Sequence, residues 1–323
     1  MKIIVIDDDP TGSQTVYGCP LLLKWDEETL LNAINNPSRL LFILANTRSL
    51  SSVEAENRVR DICNSFLNLC NQEGLMIDDF LFISRGDSTL RGHGFVEPEV
   101  LSQEVGPFDA TFHIPAFLEG GRTTIDGIHY LNGIPVHKTD FANDKIFGYS
   151  TSSLSLWIEE KSGRRIKAEN VFLLTLEILN SAINSEIGFN KLVDLLLRLE
   201  GNQSVVVDAL IMPQLEIFVR ALITIGKNKK FLFRSAASFI NALADLPPNT
   251  YTSLDFASFR LRNGYLSYKP GLVIVGSYVK LADEQLSYLL AEKSCIGIEL
   301  DVNKVANALG GLSQMSERFE LAN

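Results

Sequence analysis

A chain of 323 residues with 46% hydrophobic and 21% charged residues has ordinary globular composition and is long enough for two domains. A net charge of −10 argues against the phosphate backbone of nucleic acid as a main partner, and no apolar run approaches the ~20 residues that span a bilayer. The N-terminus shows no secretory h-region, and the scattered cysteines (Cys63 and Cys70 are seven apart on a predicted helix) suggest neither zinc pairing nor a disulfide framework, so a reduced, cytoplasmic protein is expected.

The first stretch, Lys2-Ile3-Ile4-Val5-Ile6, is too apolar for an exposed strand and predicts a buried parallel one. It ends in Asp7-Asp8-Asp9, followed by the turn signal Pro10-Thr11-Gly12. Ligands of open α/β sheets sit beyond the carboxyl ends of the strands, so these acids lie where chemistry is expected. Adjacent carboxylates repel one another, and a fold keeps them together with hydrogen bonds, cations or a chemical task; a solvated acidic turn is the plain alternative.

A weak strand follows at 20–24, a short helix at 26–35, and an apolar strand at 40–45 that ends at Asn46-Thr47-Arg48-Ser49. Ser51 or Ser52 caps a long amphipathic helix that stops at Gly74. A strand at 80–84 leads into Arg85-Gly86-Asp87-Ser88-Thr89-Leu90-Arg91-Gly92, and one at 109–114 leads into the stretch with Gly120-Gly121-Arg122. Residues 133–150 read as loop, 151–161 largely as helix, 171–175 as strand, 176–199 largely as helix, 204–208 as strand and 213–226 as helix. After a strand at 231–234, Ser235-Ala236-Ala237-Ser238 opens a helix to about 246, with Ser235 as its N-cap or an anion contact. The alternation predicts an α/β fold with a doubly wound, mostly parallel sheet over 1–246. Pro247-Pro248 opens a linker at 247–270, and 271–323 starts a second α/β unit: a strand at 272–277 with a Gly276-Ser277 turn, a helix at 282–292 and a strand at 296–300.

Three strand ends therefore converge, bringing the acids at 7–9 together with Arg48, Arg85 and Arg91, and Arg122 adds a further guanidinium. Guanidiniums suit carboxylates and phosphates, and carboxylates accept hydrogen bonds from hydroxyls, so the set suits a small polyhydroxylated acid. Surface ion pairing is the alternative for each arginine alone. His93, His113, His129 and His137 have no HxH or HxxxH spacing, so no metal site is expected from them. Two enzyme readings remain open on chemistry alone. Asp7-x-Asp9-x-Thr11 after an apolar strand matches a haloacid-dehalogenase-type phosphatase motif, with no convincing downstream acidic pair. Alternatively, the acids orient and deprotonate a substrate hydroxyl while ATP comes from the later domain.

Asp8-Asp9-Pro10-Thr11-Gly12, Asn46-Thr47-Arg48-Ser49, Asp87-Ser88-Thr89-Leu90-Arg91-Gly92, Gly121-Arg122-Thr123-Thr124, Phe233-Arg234-Ser235-Ala236-Ala237-Ser238-Phe239 and Gly276-Ser277 together resemble the successive signatures of the four-carbon acid sugar kinases. The resemblance implies a sugar-acid-binding domain over 1–246 for threonate, erythronate or 3-oxo-tetronate, and an ATP- and Mg2+-using domain that begins at 271–323. It implies Asp8 and Asp9 as catalytic carboxylates, Arg48, Arg85, Asp87, Ser88, Thr89, Arg91 and Arg122 as substrate contacts, and Gly276 and Ser277 as cofactor contacts. Two departures stand out. Arg85 occupies a position that is usually lysine in the family, and the Gly-Gly-x-Thr-Ala nucleotide loop expected near the end of family members is missing, since Gly310-Gly311-Leu312-Ser313 is followed by no Thr-Ala. The chain therefore reads as C-terminally shortened. Its expected partners are a sugar acid and either a second copy of itself or a separate polypeptide that supplies the missing segment, with no nucleic acid and no membrane. A sugar-acid-binding module that has lost phosphoryl transfer is the second reading, and the phosphatase the third.

Overall fold

The opening run forms β1 (Lys2–Asp7), and its side chains alternate between two apolar layers: Ile3 and Val5 enter one, Ile4 and Ile6 the other. The structure is a computed structural model that describes residues 2–245 and, beyond them, 252, 255, 262–263, 267–268, 270–276 and 280–310. After β1 come β2 (Leu21–Leu22), α1 (Glu27–Asn35), β3 (Leu40–Leu44), α2 (Ser52–Glu73), β4 (Phe80–Arg85), α3 (Val96–Val105) and β5 (Ala110–Ile114). Asp26 caps α1, and Ser51 forms a full capping box with Glu54 on α2, which ends at Gly74 with φ 66°.

An antiparallel insertion follows: β6 (Arg122–Ile125), β7 (Ile128–Leu131) and β8 (Ile134–Pro135). Then come α4 (Leu154–Lys161), β9 (Phe172–Leu174), α5 (Leu176–Asn184), α6 (Glu186–Leu197), β10 (Gln203–Val207), α7 (Met212–Ile225), β11 (Phe231–Ser235) and α8 (Ala237–Ala244). The main sheet has eight strands in the order β2-β3-β1-β4-β11-β5-β10-β9, all paired in parallel. Its α/β architecture is doubly wound, with α1, α2 and α3 supplying apolar side chains to one layer and α5 to α8 to the other. A third, smaller core joins Leu90, Val136, Tyr149, Leu154 and Trp157 beneath the insertion.

The structure differs from the sequence expectation in several places. The helix α3 lies in a stretch for which no element was predicted; Pro98 sits in its first turn, where a missing N–H costs nothing. The insertion occupies part of the expected loop at 133–150 and the motif before it. Its hairpins turn at Asp126-Gly127 and Asn132-Gly133, where all four residues have positive φ, as tight two-residue turns require. Ser235 belongs to β11, and Ala236 is the cap of α8.

The chain divides into a unit Met1–Asn249 and a unit Thr250–Asn323. In the second, 262–263 pairs with 267–268, and helices cover Lys280–Ala291 and Val302–Gly310. Residues 271–276 and 296–300 carry no strand, contrary to the expectation for 272–277 and 296–300. A strand exists only with a hydrogen-bonded neighbour, and among the described residues neither segment has one; Leu272 and Ile274 are exposed. No helix among the described residues is long and apolar enough to cross a membrane.

Phe112 is fully buried, with its ring centroid 5.0 Å from Phe218, 5.1 Å from Phe231 and 5.5 Å from Phe233. Phe112→Ala should cost about 3–5 kcal/mol of stability in urea titrations, whereas Leu23→Ala, at an exposed position, should change it by less than ~0.5 kcal/mol.

Candidate functional site

Backbone hydrogen bonds between strand-end loops build the site. The Asp7 carbonyl accepts from the N–H groups of Ala45 (2.9 Å) and Asn46 (3.2 Å), and the Asp8 carbonyl from that of Arg48 (3.1 Å). The Arg85 carbonyl accepts from the Asp8 N–H (3.3 Å), and the Ser235 carbonyl from the Gly86 N–H (2.9 Å). Asn46 adopts φ 51° to turn the chain here, a conformation that asparagine tolerates better than most residues. The ends of β1, β3, β4 and β11 are thereby held as one surface.

Asp8 lies at the centre of that surface, its side chain fully buried. Arg48 grips it with both ends of the fork, Nη2 to Oδ1 at 2.8 Å and Nε to Oδ2 at 3.3 Å. Arg85 Nη1 is 3.4 Å from Oδ1, and Arg234 Nη2 is 3.9 Å from Oδ2. Arg234 in turn donates to Ser84 Oγ (2.7 Å) and to the carboxylate of Glu97, which also accepts from Thr47 Oγ1 and Ser84 Oγ. Burial and the nearby Glu97 charge raise the proton affinity of Asp8, while Arg48 and Arg234 oppose them. Close approach demands glycine twice: a Cβ on Gly86 would lie 2.3 Å from the Arg234 guanidinium carbon, and one on Gly92 (φ 91°) 2.8 Å from Asp8 Oδ2.

Asp9 and Asp87 form the accessible rim. The Asp9 side chain keeps 21% of its exposure and pairs with Arg48 Nη1 at 3.2 Å. Burial works against its charge, but the Thr11 side chain and N–H together with Arg48 prevail and hold it below the ordinary aspartate range. For Asp87, burial is likewise outweighed, by Arg48, Arg91 and Thr89, and its pKa is also lowered. Arg91 Nε donates to Asp87 Oδ2 (2.7 Å) while its guanidinium stacks over Phe141, 4.8 Å from the ring centroid. Arg122 lies within electrostatic reach of Asp87 and Arg91, and burial lowers its pKa.

Thr89 reaches Asp87 through its hydroxyl and is otherwise buried; Ser88 is buried too, and its carbonyl accepts from His129 Nε2 at 2.8 Å. The Thr89 carbonyl accepts from the Tyr149 hydroxyl at 2.7 Å, so His129 of β7 and Tyr149 together hold this turn by its carbonyls. Gly276 belongs to the second unit, and Ser277 lies outside the described residues. Glu97 and Arg234 were not expected as site residues. A lone arginine inside the apolar run Phe231-Leu232-Phe233-Arg234 signals a buried acidic partner, but nothing in the spacing marks Glu97 as that partner.

Asp7 is buried differently. Its Oδ2 has no hydrogen-bond partner among the described residues, Arg85 Nη1 is 3.5 Å from Oδ1, and a Cβ on Gly12 would come within 2.0 Å of Oδ2. Burial pushes its pKa up to about 7, with Arg85 opposing. Between an unfolded value near 3.8 and about 7 the folded protein therefore holds a proton that the unfolded chain has released, so this group destabilises the fold progressively as pH rises through that window. Asp7→Asn should gain stability relative to the parent chain as the pH is raised from about 4 to 8, read as a widening gap between their urea midpoints. A gap that does not change with pH would show that Asp7 titrates normally.

The chain is 29% identical over 151 residues to a D-erythronate kinase of Heliobacterium modesticaldum, a match that covers 44% of this chain and 32% of that protein. It is 30% identical over 146 residues to a D-threonate kinase of Salmonella typhimurium, covering 45% and 33%. Each match thus spans about a third of the curated relative. Among solved structures, a Haemophilus influenzae protein of the DUF1537 family superposes with a TM-score of 0.54 at 16% identity, covering 75% of this chain and 55% of the other. A domain of unknown function from Bordetella bronchiseptica, solved with bound citrate as a domain-swapped dimer, gives 0.57 at 20% identity, covering 75% and 56%. These likenesses show the shared fold. The profile described as "Sugar-binding N-terminal domain" matches residues 3–243, and the chain belongs to that family.

Proposed function

We propose that the first unit binds a four-carbon sugar acid of the threonate, erythronate or 3-oxo-tetronate class and presents one of its hydroxyls for ATP-dependent phosphorylation. The observation that carries this reading is the rim in which partly exposed Asp9 and Asp87 alternate with Arg48 and Arg91 above a locked inner layer. Arg91 and Arg122 are assigned to the substrate carboxylate, and Asp87 to its hydroxyls, where charge-assisted hydrogen bonds are strongest. Asp9 faces outward and stays ionised, so its role is to accept a hydrogen bond from the reacting hydroxyl and orient it. Its lowered pKa makes it a weak base, and positioning is the larger part of catalysis in phosphoryl transfer. Asp8, with its carboxylate gripped by arginines, acts by holding Arg48 and Arg85 in place. Ser88 and Thr89 shape the turn and position Asp87.

Mg-ATP supplies the phosphoryl group. Among the described residues no three His, Cys, Asp or Glu side chains converge on a metal, so Mg2+ fits best as an ion carried on the nucleotide phosphates. Gly276 is exposed, with open space where a Cβ would be, and this leaves its backbone accessible to a phosphate; Gly276 and Ser277 are proposed as the start of the nucleotide contact. The boundaries 1–246, 247–270 and 271–323, a cytoplasmic location, and either a homo-oligomer or a separate polypeptide that completes the nucleotide domain belong to the same proposal. The relatives named as kinases and the citrate-bound, domain-swapped neighbour support it. A phosphatase that uses Asp7 as nucleophile has little support, because that carboxylate is buried against Gly12.

The test is ADP release by this chain with Mg-ATP and a panel of four-carbon sugar acids, alongside calorimetry with the same acids. The expected result is acid-dependent ADP that falls at least about a hundredfold in Asp9→Asn while the acid still binds. Binding without ADP would reduce the chain to the acceptor-binding part of such an enzyme. Absence of binding across the panel would overturn the reading.

A further inference from the structure

Behind Asp87 and Arg91, on the side of the sheet that faces α4, lies a small cavity of about 20 Å³, room for one water-sized group. Its walls include His113 from β5, Trp157 from α4 and Ser235 from the end of β11. Both ring nitrogens of His113, Trp157 Nε1 and Ser235 Oγ are buried, and none has a hydrogen-bond partner among the described residues. Buried polar atoms are ordinarily paired, so four orphaned atoms on three elements around one cavity mark a place built for a partner.

We propose that this cavity is a subsite for a single uncharged oxygen that both donates and accepts hydrogen bonds: a hydroxyl of the bound sugar acid, or a water beneath it. The inference deepens the reading of the neighbouring site as a sugar-acid site and rests on it for the first of these sources. Trp157 Nε1 can only donate, whereas a neutral imidazole donates from one nitrogen and accepts at the other. The occupant must therefore both accept and donate. A cation has nothing to offer the indole N–H, and a carboxylate leaves the accepting nitrogen unpaired. Burial, together with the Arg234 charge, pushes His113 down to about 3, so its ring is neutral at any working pH. The guanidiniums nearby are already engaged, Arg234 by Glu97 and Ser84, Arg91 by Asp87.

The probes are a four-carbon sugar acid, its monodeoxy analogues, and crystals grown with and without the acid. If a hydroxyl fills the subsite, one deoxy analogue binds the parent chain about tenfold more weakly than the full acid, and Trp157→Phe and His113→Phe both close that gap. If water fills it, no deoxy analogue is singled out in this way, and acid-free crystals show one oxygen within about 3.2 Å of Trp157 Nε1 and a His113 nitrogen. Cavity density that stays empty in both crystals, with analogue preferences unchanged in both variants, overturns the proposal. If no sugar acid binds at all, the reading of the main site fails, and the acid-free crystal alone decides whether the cavity holds an oxygen.

Discussion

A carboxylate sealed from water must be answered by positive charge, and the carboxyl-terminal edge of this sheet is arranged around that requirement at Asp8. The answer comes from the loop after β3, the end of β4 and the middle of β11, and the third of these arginines needs its own acid, Glu97 on α3. Each added charge is compensated by the next, so the network binds five elements together. Such networks contribute little net stability when whole, but losing one member strands the others and costs about 3–5 kcal/mol. Their larger effect here is geometric. Arg48 and Arg85 are fixed before any ligand arrives, and a preordered site loses less entropy on binding.

The same edge separates into two layers with different chemistry. In the inner layer, Asp8 spends its hydrogen bonds on Arg48 and Arg85, and Glu97 and Ser84 take those of Arg234, which stands 3.9 Å from Asp8. In the outer layer, Asp9, Asp87, Arg48 and Arg91 satisfy each other in part and remain partly open. His129 of β7 and Tyr149, which precedes α4, hold carbonyls of the turn at 87–92 and leave the side chains of Asp87 and Arg91 to face outward. Leu90, at φ 66° and buried in the third core, is the strained residue that this arrangement keeps in place.

Much of this was legible in the residues. Apolar runs that end in polar clusters located the strands β1, β3 and β4 and the candidate residues that the fold gathers at their ends, because a buried parallel strand must be apolar and polar side chains collect where it stops. The capping serine and terminal glycine of α2 were read correctly for the same local reason. Two kinds of feature escaped. The tight turns at Asp126-Gly127 and Asn132-Gly133 carry a strong hairpin signal that stands outside the βα alternation of the surrounding chain. The pairing of Arg234 with Glu97, and the retreat of Asp8 beneath Asp9, depend on contacts between distant segments, which no local pattern encodes. In the second unit, apolar runs at 272–275 and 296–300 predicted strands, but composition supplies only half of a strand, and the neighbour must supply the rest.

The order of the strands also bears on how the unit comes to exist. β11 is the last of the eight to be synthesised, yet it lies between β4 and β5. Until it emerges, the sheet is two separate ladders, β2-β3-β1-β4 and β5-β10-β9, each with a bare inner edge able to pair with a stranger. The contacts that close the gap join residues 150 and 121 apart in sequence, which favours slow, late closure over early local assembly. Arg234 arrives on that same strand. The residue that completes the charge network around Asp8 is thus delivered by the event that seals the sheet.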